Sequence, residues 1–374
     1  MLDRVSVVNF KAFSRQDLVL APFTLLTGLN SSGKSSVLQA LALLRQSHEA
    51  GVLEDGEDSG LLLNGEFVQL GTGQDVRHEA YPKNDPDIGL GVVPVGRPDR
   101  GVTWRAAYGP EDDLLRLVNA PVVGMHPAAA LPELFGPGFQ YLKADRIVPD
   151  ISYPRSHHAV VRRGFLGARG EHTVNYLRVH QDEPVEEALR HPSTASGTLL
   201  AQTDAWMQRL CPGVNLQAIG IDGTDSVRLS YGFGAGVNAS NRYRPTNVGF
   251  GLTYALPIVV ACLTARPGSL VLLENPEAHL HPQGQTSLAF LATAAARAGA
   301  QLLVETHSDH VLNGLRIAVK NDRLPASATA VHFFRRSGQG VEVVTPRMEE
   351  DGMLSEWPRG FFDEWENSLD QLLD

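Results

Sequence analysis

The sequence predicts an α/β fold with a phosphate-binding loop near its start, an inserted mixed α/β lobe in its middle and a small C-terminal hairpin-plus-helix. Three observations predict it. The segment Gly28-Leu29-Asn30-Ser31-Ser32-Gly33-Lys34-Ser35-Ser36 fits G-x-x-x-x-G-K-[ST], and it lies between a β-prone run at 23–27 and a helix-prone run at 37–44. Two later apolar runs, 269–273 and 302–304, end in Glu274 and Glu305, as strands buried on both faces do when they deliver a carboxylate to a sheet's C-terminal edge. From about residue 76 to 245 this pattern is lost and gives way to strands, loops and short helices. The expected division is therefore 1–75 for the first part of the head, 76–245 for the inserted lobe, 246–330 for the second part of the head and 331–374 for the hairpin and helix.

Taken in order, residues 4–10 alternate as a strand, and 23–26 form a second strand that leads into the loop. An anion there meets backbone N–H groups and the positive end of a helix; Lys34 is placed to reach β- and γ-phosphates, and Ser35 to ligate Mg²⁺. Lysine occurs only at 11, 34, 83, 143 and 320, so Lys34 is not a background residue. The acidic run from Glu54 to Gly60 reads as a solvated loop, and the pair Asn64-Gly65 as a turn. Gln69 follows, either near a nucleotide's metal and γ-phosphate or simply as polar surface.

Inside the lobe, Tyr141-Leu142-Lys143-Ala144-Asp145-Arg146 reads as a strand presenting Asp145 and Arg146 at an edge, or as an ordinary surface pair. Arg155, His157, His158, Arg162, Arg163, Arg169 and Arg178 then concentrate positive charge, which suits a phosphate backbone, an acidic partner or a solvated face. Helices are expected over 183–190 and 198–210. Asn247, Gly249 and Gly251 stand just before an apolar helix at 254–263. They read either as a second anion site or as a plain glycine-rich helix start. Beyond Glu274 come Asn275, Glu277, His279 and His281; beyond Glu305 come His307, Asp309 and His310. His307 is placed to hydrogen-bond a γ-phosphate or its attacking water, whereas the four histidines with Asp309 would in a rival reading make a divalent-metal hydrolase. Residues 329–334 and 341–344 read as a hairpin, and Trp365, Leu369 and Leu372 as a helical stripe, either docked on the core or offered to a partner.

Composition narrows the classes. A chain of 374 residues with 43% hydrophobic content can bury a large core, as two lobes or as one domain with an insertion. A net charge of −10 excludes a globally basic nucleic-acid coat and leaves only a local basic face. Cys211 and Cys262 have neither disulfide-framework nor zinc spacing, which together with the absence of a signal-like start suits the cytoplasm. No apolar run approaches the roughly 20 residues a membrane span needs.

The set GLNSSGKSS, VGFG, LVLLENPEAHLHP and LLVETHSDH, in that order, resembles the phosphate loop, signature, Walker B with D-loop, and switch histidine of ABC-type ATPases. It is most similar to the small prokaryotic branch related to SMC-like and overcoming-lysogenisation-defect (OLD) ATPases. NFKAF at 9–13, Tyr141 to Arg146, and a WPxGFFDE mark at 357–364 like that of a C-terminal domain of unknown function also look like this branch. The resemblance implies an ABC-type head that binds ATP and Mg²⁺, with Ser35, Glu274 and Gln69 around the metal. It implies a nucleotide-dependent homodimer, or a higher oligomer, in which Lys34 and Ser35 of one copy face Asn247, Gly249 and Gly251 of the other. It further implies a separate effector such as a nuclease or toxin, in antiphage defence or DNA transactions. OLD-like nucleases carry an added acidic domain, which this sequence does not show, so nuclease activity of its own is not expected.

The sequence departs from the broader ABC pattern at one position. Where that pattern ends its strand Asp-Glu, this chain has Glu274-Asn275, and an amide cannot take a proton from water. General-base catalysis is worth roughly 10²- to 10⁴-fold, so the expectation is slow hydrolysis, with Glu277 or His307 substituting, or a nucleotide-sensing switch that barely hydrolyses.

Overall fold

The computed structural model describes residues 1–54, 58–119, 127–234, 239–338 and 340–373. They form two compact units, 1–136 with 327–348 and 354–374, and 137–326 with 349–353. Residues 55–57 of the acidic run and Gln339 of the hairpin turn lie outside the described residues.

In the first unit, β1 (Leu2–Phe10) forms a hairpin with β2 (Phe13–Val19). β3 (Phe23–Gly28) is buried throughout except at its terminal Gly28. The helix Lys34–Glu49 follows directly, with Val37, Leu38, Leu41 and Leu44 among its buried residues. After β4 (Gly60–Leu62) come β5 (Ile88–Pro94), β6 (Val102–Ala106) and β7 (Leu114–Asn119). β5 pairs antiparallel with β1 and with β6, giving the sheet order β2-β1-β5-β6-β7-β4. Residues 76–119 thus extend the N-terminal sheet, and the chain passes from the first unit to the second at 136/137. Ile88, Leu90 and Val92 are buried on the same sheet as Val5 and Val7.

The second unit holds β8 (Phe139–Leu142), β9 (Tyr153–Pro154), β10 (Val214–Gly220), β11 (Ser226–Phe233), β12 (Leu270–Glu274) and β13 (Gln301–Glu305). β13, β12 and β8 run parallel, with Leu272 beside both Leu303 and Tyr141. β12 and β13 are buried along their whole length, as continuous apolar runs require. β10, β11 and β9 form an antiparallel sheet. The helix expected over 183–190 is only a short 3₁₀ turn, Glu187–Leu189, because residues 183–185 lie extended against 197–199: the Val185 N–H donates to the Gly197 carbonyl and the Leu199 N–H to the Glu183 carbonyl, each at 2.8 Å. The second expected helix is present as Leu199–Met207.

The chain then returns to the first unit. β14 (Thr329–Ser337) lies parallel to β3 and antiparallel to β15 (Gly340–Val344), which forms the expected hairpin. A terminal helix spans Glu364–Leu373; of its expected stripe Leu369 is half-buried and Leu372 about four-fifths exposed, and the Trp365 side chain lies outside the described residues.

Candidate functional site

In the first unit, β3 ends at Gly28 with φ +136°, and a Cβ there would stand 2.0 Å from the Phe334 carbonyl oxygen on β14. Gly33 has φ +97° and packs so closely on Ala12 and Phe13 that a Cβ would meet both within 3.0 Å. Glycine is required at both ends of the loop by conformation and by space. Between them Asn30 and Ser31 are exposed, Ser31 has φ +58°, and the Ser32 hydroxyl donates to the Leu29 carbonyl at 2.7 Å. Arg336 Nε donates to the Ser31 carbonyl at 3.2 Å, which fastens the loop to β14. The helix Lys34–Glu49 starts with no side-chain cap, so its first turn directs backbone N–H groups at the loop. Lys34 is buried, and its ammonium donates to the carbonyls of Gly28 (3.0 Å) and Leu29 (2.7 Å). Ser35 is half-buried and Ser36 buried in the same turn. The loop thus sets a buried ammonium beside the uncapped N-terminus of a helix. Gln69 is exposed in a turn of the same unit, bridged to Asn64.

In the second unit, Glu274 ends β12 and is buried. Its Oε1 accepts the Tyr141 hydroxyl and its Oε2 the Ala144 N–H at 3.0 Å. Burial, reinforced by the Glu274 charge, raises the Tyr141 phenol well above its ordinary pKa, so it stays a donor. Arg146 is not presented at an edge. It is 1% exposed, lies over the Tyr254 ring at 4.2 Å and donates to the carbonyls of Lys143 (2.8 Å), Glu274 (2.6 Å) and Asn275 (2.8 Å). Burial lowers its guanidinium to about 10, which leaves it charged at neutral pH. The exposed residue is Asp145, paired with Arg169 at 3.2 Å.

Asn275 has φ +43°, and its N–H donates to the Glu305 carbonyl at 2.8 Å, tying the turn after β12 to the end of β13. Glu277 Oε1 accepts the His307 N–H at 2.8 Å. Two buried acceptors on this turn, Asn275 Oδ1 and Glu277 Oε2, meet no donor among the described residues. Burial raises the Glu277 carboxyl above its ordinary pKa, partly offset by the His307 hydrogen bond. His307 is exposed at the mouth of the loop after β13.

Asn247 and Gly249 are exposed, and the helix Phe250–Thr264 begins after Gly249 with no side-chain cap. A Cβ on Gly251 would stand 2.4 Å from the His279 carbonyl oxygen, so this helix start is locked against the turn after β12. The His279 ring packs on Phe250 and Tyr254 at 4.6 and 4.9 Å. Asn247, Gly249, Gly251, His279 and His281 share a cleft of about 500 Å³. The histidines do not assemble a metal site: among the described residues no group of three or more His, Cys, Asp or Glu side chains is arranged to hold an ion. His279 is instead engaged by aromatic rings, and His281 Nδ1 accepts the Gln283 N–H at the start of the helix Pro282–Arg297. The partners of Tyr141 and Arg146 are not legible in the sequence, because Glu274 lies 133 and 128 residues away from them.

Residues 157–313 match the family model described as "AAA domain, putative AbiEii toxin, Type IV TA system", and residues 324–372 match one described as "Protein of unknown function (DUF3696)". No curated protein matches the sequence. Among solved structures, the chain is similar to an Smc head bound to the C-terminal winged-helix domain of ScpA, with a TM-score of 0.56, 15% identity and coverage of 93% of this chain and 98% of that one. It is also similar to the Pyrococcus furiosus Smc head with an extended coiled coil bound to the C-terminal domain of ScpA, with a TM-score of 0.53, 13% identity and coverage of 100% and 99%. The chain therefore has the mixed α/β fold of the SMC-head P-loop ATPases.

Proposed function

We propose that the chain is an ABC-type ATPase that closes as a nucleotide-dependent homodimer in the cytoplasm and controls a separate effector. The observation that carries this reading is the phosphate loop: two positive-φ glycines with no room for a side chain, and a buried Lys34 ammonium across the loop carbonyls. In it, backbone N–H groups of 30–36 and Lys34 bind the phosphates, and Asn247, Gly249 and Gly251 of a second copy complete the site. Both Glu274 oxygens already accept a protein donor, which fits a carboxylate that holds Mg²⁺ through its water shell rather than directly. Ser35, Glu274 and Gln69 would hold Mg²⁺, which when bound neutralises charge on the phosphates. Glu277 takes the proton of the attacking water that the Asn275 amide cannot, and the Asn275 Oδ1 and Glu277 Oε2 acceptors orient that water. His307 contacts the γ-phosphate.

The likeness to heads solved with bound ScpA domains supports a partner protein, and the toxin–antitoxin description of the matched family supports an effector such as a toxin or nuclease in antiphage defence. The OLD-like branch remains part of this proposal. The test is ATP binding and phosphate release by the wild type and Lys34→Ala. Loss of at least about 100-fold in turnover supports the reading, by the scale of removing one donor to a developing charge. Unchanged affinity and turnover would refute it. The amide at Asn275 favours a second reading, a nucleotide-sensing switch with little turnover. Closure on ATP without phosphate release would select it.

A further inference from the structure

The second unit carries a cluster of cations on a chain whose net charge is −10. Arg155, His157, His158 and Arg162 are exposed, and Arg178 is half-buried beside them. Four contacts tie this segment to its neighbours. Pro154 on β9 pairs with Ser226 on β11, and the Arg155 N–H donates to the Asp225 carbonyl at 2.9 Å. Asn175 on the helix Thr173–His180 donates through Nδ2 to the Ser156 carbonyl at 3.3 Å. Arg178, one turn further on, donates through Nε and Nη2 to Asn175 Oδ1 at 3.2 Å each.

Arg155, Arg162 and Arg178 pair with no carboxylate among the described residues. The positive charge of Arg155 adds to burial in lowering the Arg178 guanidinium, so the two repel. Arg155 and His157 line an open cleft of about 900 Å³ with Gly223, Thr224 and Asp225. Asp225 is the one carboxylate of that lining, and it touches Arg155 through its backbone carbonyl.

We propose that this face binds the phosphate backbone of double-stranded nucleic acid without reading base sequence. Guanidinium groups match phosphate oxygens bidentately, and the imidazoles of His157 and His158 add donors. Local attraction must overcome the long-range repulsion of a −10 chain, which favours the densest available anion; a duplex carries one charge per about 1.7 Å of axis. An acidic protein has a lower charge density. A single strand would call for exposed aromatic platforms, but Tyr153 and Phe165 in this segment are buried.

The test uses fluorescence anisotropy with a labelled duplex of about 30 base pairs across a salt series. The wild type binds at about 50 mM salt, and Arg155→Glu with Arg178→Glu weakens binding at least tenfold while flattening the plot of log K against log salt by about two units. Arg162→Glu, at an exposed position, weakens binding in a chain with an unchanged melting temperature, which separates surface charge from folding. The proposal is overturned if the wild type does not bind the duplex. It is also overturned if the folded variants keep affinity and slope, if an unlabelled single strand competes better than duplex, or if poly-L-glutamate displaces the duplex at equal charge concentration. ATP plays no part in these measurements, so the result stands apart from the nucleotide reading.

Discussion

Glu277 and His307 meet across the ends of two parallel strands: the carboxylate Oε1 accepts the histidine's backbone N–H at 2.8 Å, while the other oxygen, Oε2, is buried without a donor among the described residues. A backbone donor fixes the carboxylate without consuming the His307 imidazole. One oxygen is anchored and the other is left as an acceptor, which is the division a general base needs.

Turnover should report this carboxylate through pH. Burial holds the Glu277 carboxyl above its ordinary value. A base works only when ionised, so turnover falls as pH drops through that raised value. The acid limb of kcat should therefore lie above the usual glutamate range, and it should disappear in the residual activity of Glu277→Gln. A pH–rate profile from pH 4.5 to about 8 checks this.

The phosphate loop should not tolerate a methyl group at its first glycine. Gly28→Ala places Cβ 2.0 Å from the Phe334 carbonyl oxygen at a φ of +136°. We expect a loss of about 2 kcal/mol or more, from strain and overpacking together, measured by denaturant unfolding.

Arg146 is a buried cation whose hydrogen-bond partners are carbonyls rather than acids. Arg146→Met leaves the Glu274 and Asn275 carbonyls without this donor and should cost about 3 kcal/mol. Arg146→Lys should recover little, since one ammonium cannot span the fork of acceptors that the guanidinium reaches. Thermal melts of both variants test this.

Asp204 should give the second unit a pH-dependent stability. Its carboxylate accepts the Leu216 N–H at 2.7 Å, yet burial raises its pKa from 3.8 to about 6. The folded-state value exceeds the unfolded one, so its contribution is fully present below pH 3.8 and is lost as pH rises through about 6. Asp204→Asn should remove that slope and raise stability at pH 7 by on the order of 2 kcal/mol, with the Leu216 hydrogen bond retained. Urea titrations at pH 4.5 and pH 7 provide the comparison.

What the sequence made legible was local or continuous. Gly28 to Ser36 reads as a loop because its glycines, lysine and serines are consecutive. β12 and β13 read as strands because a strand buried on both faces is a run of apolar residues. The hairpin of β14 and β15 is marked by glycines at its turn. Non-local pairing was hidden: nothing in Ile88 to Pro94 announces that it lies beside β1. Arg146 was misread for the same reason, since an arginine after an apolar run resembles an exposed end until its carbonyl partners, 128 and 129 residues away, are known. The 183–190 segment is another non-local case, since its first residues are held extended by hydrogen bonds to 197–199.

Phosphate release from ATP by the wild type and Glu277→Gln, under single turnover with ATP binding measured in parallel, tests the central claim most directly. The account predicts that Glu277→Gln keeps ATP affinity within a few-fold and slows release by roughly 10²- to 10⁴-fold, the range for removing a general base. A folded Glu277→Gln variant that released phosphate at the wild-type rate would contradict it.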